Sequence, residues 1–239
     1  MKVLVTGANR GLGLALVQQG LAQGHIMFAA VRSVADQHIK GLQQLKASFE
    51  GQLRILHMDV TNEKSIKQAA DAVKWTDQYL DVVINNAAVL NEREAKIEEL
   101  DIQACSHAFD VNTLGPLRVV KHFLPLLKVG LEERVSDTQA ILNISSEAGS
   151  ITNTGPLDYP YGMSKAALNM LTEKLKRYLQ QDDITVICIH PGWMQTDMGG
   201  NQAPKDPNET AANLYNLLVR SRNTEPYSFV DDLGQQMPL

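Results

Sequence analysis

Short apolar runs alternate along the chain with longer stretches in which apolar positions recur every three or four residues. The short runs predict strands at 2–6, 26–31, 53–58, 81–85, 140–144, 184–190 and 227–230. The longer stretches predict helices at 12–23, 35–48, 63–75, 102–128, 160–181 and 208–221. Val82-Val83-Ile84 and Ile184 through Ile189 are apolar in both half-periods, which is the pattern of parallel strands covered on both faces. Repeated β-α units of this size imply an α/β fold with right-handed crossovers, a doubly wound parallel sheet flanked by helices on both faces. The sequence has no internal repeat, low-complexity tract or linker, so residues 1–239 are expected to form a single domain.

Composition narrows the picture. The chain has 239 residues, 44% of them hydrophobic, enough for a sizeable core. A net charge of −5 argues against nucleic-acid or anionic-membrane partners. No apolar run approaches the roughly 18 residues of a membrane helix. The first strand begins at residue 2, so no signal peptide is expected. Cys105 and Cys188 sit far apart in apolar patterns and read as buried free thiols in a reducing cytoplasm.

Between the first strand and first helix lies Thr6-Gly7-Ala8-Asn9-Arg10-Gly11-Leu12-Gly13. Glycines let a backbone turn sharply and approach a phosphate, and a helix start offers free N–H donors. A strand, glycine turn and helix in this order suit a dinucleotide pyrophosphate, although an ordinary strand-to-helix turn can look the same.

Other polar groups fall at the carboxyl ends of predicted strands, where ligands bind in such sheets. Ser145 and Ser146 follow one strand, His190-Pro191-Gly192 another, with Thr196 beyond, and Asn85-Asn86-Ala87-Ala88 a third. A serine here is either a ligand contact or a turn residue. Asn112, a poor helix former, interrupts the predicted helix 102–128 and suggests a local polar role. Tyr161 and Lys165 lie four apart on one helix face. A tyrosine working near neutral pH needs its pKa lowered from about 10 to about 7, worth about 4 kcal/mol. One ammonium about 4 Å away supplies that much at an effective dielectric near 20, so Lys165 is expected to suffice.

Together these residues resemble the short-chain dehydrogenase/reductase family along the whole chain. The resemblance rests on Thr-Gly-x-x-x-Gly-x-Gly at 6–13, Asp59-Val60, Asn-Asn-Ala at 85–87, Asn112, the strand-end serine, Tyr-x-x-x-Lys at 161–165, and Pro191-Gly192 with Thr196. Residues 191–200 and 234–239 resemble its C-factor and sniffer-like carbonyl reductase branch. The resemblance implies a Rossmann-type fold, a nicotinamide dinucleotide and a small carbonyl substrate. It also implies a homodimer through helices 102–128 and 160–181.

Two departures stand out. Ala88 occupies a position where the family usually has glycine, and Ser146 precedes Tyr161 by fifteen residues rather than thirteen. Tyr159 would restore thirteen but has Met163 one turn on, so Tyr161 is preferred.

By family role, Tyr161 would be the general acid and Ser146 would bond the carbonyl oxygen. Lys165 would hold the nicotinamide ribose, and Asn112 would anchor a water leading from Lys165 to solvent. Gly7, Asn9, Arg10, Gly11, Leu12 and Gly13 would hold the pyrophosphate side. Asp59 and Val60 would meet the adenine, Asn86 and Ala87 would line the site, and Pro191, Gly192 and Thr196 would hold the carboxamide. Asp59 also suits a turn before helix 63–75.

The second predicted strand ends at Val31-Arg32 with no acid for ribose hydroxyls, which favours NADPH over NADH through Arg32 and Arg10. Leu90, Ile151, Pro156, Leu157, Trp193, Met194 and Met198 are candidates for an apolar substrate wall, with 193–206 as a small lid. The competing readings are a dinucleotide-binding regulatory protein without turnover and a sugar-nucleotide epimerase. The epimerase needs a larger C-terminal region than this chain has.

Overall fold

The computed structural model describes residues 1–133, 138–220 and 228–239. Its strands are β1 (Lys2–Thr6), β2 (Ile26–Val31), β3 (Leu53–His57), β4 (Val82–Asn85), β5 (Ala140–Ile144), β6 (Thr185–His190) and β7 (Phe229–Asp231). Its helices are α1 (Gly11–Ala22), α2 (Asp36–Ser48), α3 (Glu63–Asp77), α4 (Ile102–Phe109), α5 (Gly115–Glu133), α6 (Tyr159–Tyr178) and α7 (Pro207–Arg220). The seven strands form one sheet in the order β3-β2-β1-β4-β5-β6-β7. Every neighbouring pair is parallel. This is the expected Rossmann-type α/β architecture.

Residue 227 of the expected last strand and residue 221 of the expected last helix lie outside the described residues. The other boundaries agree to within three residues, except for the helix expected at 102–128. That helix is divided into α4 and α5 by a π turn at Asp110–Leu114, and it runs on to Glu133. The extra residue of a π turn unpairs local backbone groups and re-aims side chains, and such turns recur at functional sites. Asn112 lies inside it and is buried.

Alternation along each strand feeds two cores. Val3, Val5 and Ala29 face α1 and α7, packing with Leu16 and Tyr215. Leu4, Phe28 and Val83 face the other way, packing with Ile66 and Phe123. The Tyr215 hydroxyl donates to the Leu16 carbonyl at 3.1 Å, and a Cβ on Gly20 would meet that hydroxyl at 2.4 Å. Close approach of α7 to α1 therefore needs glycine there. The strand order reverses between β1 and β4, and parallel sheets form their ligand crevice at the carboxyl ends beside such a reversal. Cys105 and Cys188 are buried free thiols. No helix among the described residues is long and apolar enough to cross a membrane.

Candidate active site

A cleft of about 1060 Å³ opens at the carboxyl edge of the sheet. The glycine turn forms one end. Gly7 has φ +63°, and a Cβ on it would meet the Ala87 backbone at 2.9 Å. A Cβ on Gly13 would meet the Gly7 carbonyl at 2.3 Å. Arg10 caps α1 without a side-chain bond, so the first N–H groups of that helix face the cleft uncapped.

Thr6 and Asn86 fix the shape of this turn. The Asn86 and Ala87 N–H groups donate to Thr6 Oγ1 at 3.0 and 2.9 Å. Asn86 Nδ2 donates to the carbonyls of Thr6 and Gly7 at 2.9 and 3.2 Å. Arg32 and Asp59 line the far rim. Asp59 Oδ1 accepts from the Thr61 N–H and hydroxyl at 2.9 and 2.7 Å, so one oxygen is committed to the turn before α3. Burial pushes that carboxyl up, but the Thr61 bonds, with Arg32 and His57 nearby, hold it below its ordinary value.

At the other end stand Ser146, Tyr161 and Lys165, all lining the cleft. Ser145 is tied down, its hydroxyl donating to Asn169 Oδ1 at 2.6 Å. Ser146 caps a 3-10 turn, accepting from Ala148 N–H at 3.2 Å, and its side chain lines the cleft with that of Tyr161. The turn is also held by His190, whose Nδ1 accepts from the Glu147 N–H at 3.1 Å. A Cβ on Gly149 would meet the Lys165 backbone at 2.7 Å, so this turn presses directly on α6.

The longer serine-to-tyrosine interval is absorbed by the loop that follows. Its Thr152 N–H donates to the Leu239 carbonyl at 3.1 Å, and Asp158 turns the chain into α6 in the left-handed region, at φ +60°. Tyr159 does not line the cleft, whereas Tyr161 does.

Lys165 is buried, and its Nζ donates to the Ile144 carbonyl at 2.6 Å. It lies 5.4 Å from the centroid of the Tyr161 ring. Burial lowers its pKa to about 8. Burial also pushes the Tyr161 hydroxyl up to about 12, offset in part by the nearby Ser146 hydroxyl and worsened by the charge of Asp158. The expectation that Lys165 alone brings this phenol to neutrality is therefore not met. The ammonium is anchored to β5 over the ring rather than bonded to the hydroxyl, and desolvation outweighs it.

Asn112 does not line the cleft. Its Oδ1 accepts from the Val89 N–H at 2.9 Å, and its Nδ2 donates to the Val89 carbonyl at 3.0 Å and to Ser164 Oγ at 2.9 Å. Ser164 Oγ in turn donates to the Tyr161 carbonyl at 2.8 Å. Both N–H groups of Asn112 are committed, so its side chain can offer a water only a remaining lone pair. Asn112 and Ser164 thus clamp the β4–α4 loop to the first turn of α6. Ser164 and Asn169 have no role in the motif reading, since nothing in their spacing sets them apart, and His190 enters it only as a strand-end residue with no assigned contact.

The segment 193–206 borders the cleft as a loop closed by a parallel bridge between Met194 and Lys205. Gln195 N–H donates to the Lys205 carbonyl at 2.9 Å, and Trp193 Nε1 to the Gly199 carbonyl at 2.7 Å. Lys205 anchors it to the buried Asp232 at 2.5 Å and occupies the space a Cβ on Gly192 would need. Thr196 packs where a Cβ on Gly11 would lie, at 3.2 Å. Arg10 pairs with Asp197 of this loop at 2.8 Å. Both side chains are about 70% exposed, and pairs of that kind are weak enough to yield to a phosphate.

Leu90, Trp193, Met194 and Met198 line the substrate end. Ile151, Pro156 and Leu157 do not, and are exposed on the long loop. That loop turns away toward the C-terminal residue before Asp158 brings it back. In their place the structure brings Arg93, Glu147, Asn153 and Asp158 to the wall.

Residues 1–207 match the family model described as short chain dehydrogenase. The chain belongs to the short-chain dehydrogenase family. Among solved structures it resembles an NADPH-bound carbonyl reductase from chicken fatty liver, at 35% identity and a TM-score of 0.91, covering 100% of this chain and 98% of that one. It also resembles the carbonyl reductase Sniffer of D. melanogaster, at 31% identity and a TM-score of 0.90, covering 100% and 99%. C-signal of Myxococcus xanthus is 33% identical over 160 residues, 66% of this chain and 92% of that protein. In this chain the glycine turn, Ser146, Tyr161 and Lys165 line one continuous cleft.

Proposed function

We propose that this chain is an NADPH-dependent carbonyl reductase. The observation that carries the reading is the meeting of Ser146, Tyr161 and Lys165 at one end of a cleft whose other end is the glycine turn with Arg32. The glycine cradle, the uncapped start of α1 and the absence of an acid at the end of β2 fit a dinucleotide phosphate. Arg32, and Arg10 once released from Asp197, suit a 2′-phosphate. The cofactor, when bound, supplies the hydride.

The protein's own part is to hold the carbonyl and deliver a proton. A phenol held near 12 stays protonated at neutral pH. It remains a far stronger acid than the alcohol formed, since an alkoxide is about as basic as hydroxide, whose conjugate acid has a pKa of about 15.7. Tyr161 Oη therefore donates downhill to the developing alkoxide oxygen. Ser146 Oγ bonds that oxygen and fixes the carbonyl. The Lys165 ammonium keeps a positive charge beside Tyr161 as the phenol gives up its proton. The loop 193–206 and the apolar wall of Leu90, Trp193, Met194 and Met198 exclude water from the exchange. Thr196 and the Pro191-Gly192 backbone, which line the cleft, would hold the carboxamide. A homodimer belongs to the same reading, and Leu117 of α5 with Met163 and Met170 of α6 are exposed apolar groups on the expected face.

The similarity to C-signal supports a second reading, a dinucleotide-binding signal protein with little turnover. A complete proton-donating set counts against it, because binding alone does not need Tyr161. Oxidation of NADPH against a panel of aldehydes, diketones and quinones, with NADH in parallel, separates the two. The carbonyl reductase reading expects turnover with NADPH that is weaker with NADH, and Arg32→Ala to narrow that difference about tenfold. Binding of NADPH with no turnover on the whole panel favours the signal protein.

A further inference from the structure

Asp158 ends the long loop as the residue before α6, one helical turn ahead of Tyr161. It is one of four non-glycine residues with positive φ among the described residues. Its N–H donates to the Arg93 carbonyl at 3.3 Å, which straps the loop after β4 to the start of α6. Asp158 Oδ1 is buried and has no hydrogen-bond partner. Arg93 Nε stands 4.0 Å from it, beyond hydrogen-bond reach. Both side chains line the substrate end of the cleft, together with Leu90, Trp193, Met194 and Met198.

Asp158 Oδ1 has the charge of Arg93 in ion-pair range but no hydrogen bond, and a buried acceptor without one costs free energy unless a ligand or water supplies a donor. Asp158 lines the same cleft as Tyr161 and is near enough for its charge to push that phenol up, so it can reach a group close to whatever Tyr161 protonates. Resting on the carbonyl-reductase reading, we infer that Asp158 accepts a hydrogen bond from the substrate, selecting carbonyl compounds with a hydroxyl or protonated amine beside the carbonyl. The charges agree with this. Burial and Glu94 push the Asp158 carboxyl up while Arg93 holds it down, so a donor from the substrate would stabilise the charged form. Glu147 lines the same end, and a carboxylate on the substrate would face two like charges.

The test compares acetophenone with its hydroxymethyl, aminomethyl and carboxylate counterparts, using wild type and Asp158→Gly. Glycine accepts the left-handed backbone without strain, so the loop keeps its course. Two readouts are used: kcat/KM with NADPH, and ketone binding by quenching of Trp193 fluorescence in the NADP complex. Using the ratio between ketones cancels any change in Tyr161 acidity. The expected result is a wild-type preference for the donor-bearing ketones that falls about tenfold or more in Asp158→Gly, in both readouts. Equal ratios in the two proteins, or a preference for the carboxylate ketone, overturn the inference and leave the carbonyl-reductase reading standing. Failure of the wild type to reduce any of the four, while it turns over the panel of aldehydes, diketones and quinones, overturns the inference alone, and failure on that panel as well overturns both.

Discussion

The two ends of the cleft are built differently. The cofactor end is made of backbone: Gly7, Gly11 and Gly13 clear space, and Thr6 and Asn86 pin the turn with four hydrogen bonds. The substrate end is made of side chains on loops, among them Leu90, Arg93, Trp193 and Met198, with Trp193 52% exposed. Backbone geometry restricts which residue types fit, whereas a loop surface only has to present the right groups. One end therefore tolerates little change, and the other can be recut for a new substrate.

Substitutions along the cleft test that contrast. Tyr161→Phe removes the proton donor where the two ends meet, and should lower carbonyl reduction by about a thousandfold while NADPH fluorescence titration stays near wild type. At the cofactor end, Gly13→Ala places a methyl 2.3 Å from the Gly7 carbonyl and 2.6 Å from Asn86 Nδ2. NADPH affinity should fall about a hundredfold in the same titration, because neither group can move without opening the turn.

The pH profile is the third check. Lys165, lowered to about 8 by burial, is charged at neutral pH and loses its proton as pH rises through that value. Reduction should be level across neutrality and then fall about tenfold per pH unit above about 8, and Lys165→Met should lack that limb. Tyr161, near 12, contributes no change in this range. The smallest effect belongs to the substrate end. Trp193→Ala should change KM by about threefold with little change in kcat, since the side chain borders solvent. A loss as large as that of Gly13→Ala would erase the distinction between the ends.

The same contrast explains what could be read from sequence. The α/β fold with its parallel sheet follows from runs such as Val82-Val83-Ile84, which bury both faces. The glycine turn was legible because Gly7 and Gly13 have no substitute in the space available. Asn112 announced itself as a poor helix former, and the π turn around it is the physical reason. Its partners could not be found the same way. Ser164 relays its hold to Tyr161, and nothing distinguishes that serine from others in a helix start. His190 secures the Ser146 turn through one ring nitrogen, a contact made only when β5 and β6 come together. On the substrate side, Ile151, Pro156 and Leu157 were expected to form the wall because they are apolar and near Tyr161 in sequence. The loop instead ties Thr152 to Leu239 and leaves those three exposed. Asp158 and Arg93 take their place through a left-handed turn that no local pattern specifies. The acidity of Tyr161 was misjudged for a related reason. The helix spacing places Lys165 on the right face, but the Ile144 carbonyl decides where its charge ends up.

Hydride transfer to a carbonyl carbon is the central claim, and isotope transfer tests it most directly. The wild-type protein is incubated with NADPH carrying deuterium at the transferable position and with a ketone that it turns over. The account predicts an alcohol with one deuterium on the former carbonyl carbon, formed about a thousandfold more slowly by Tyr161→Phe. An alcohol without deuterium, or labelled product formed as fast by Tyr161→Phe, would contradict it.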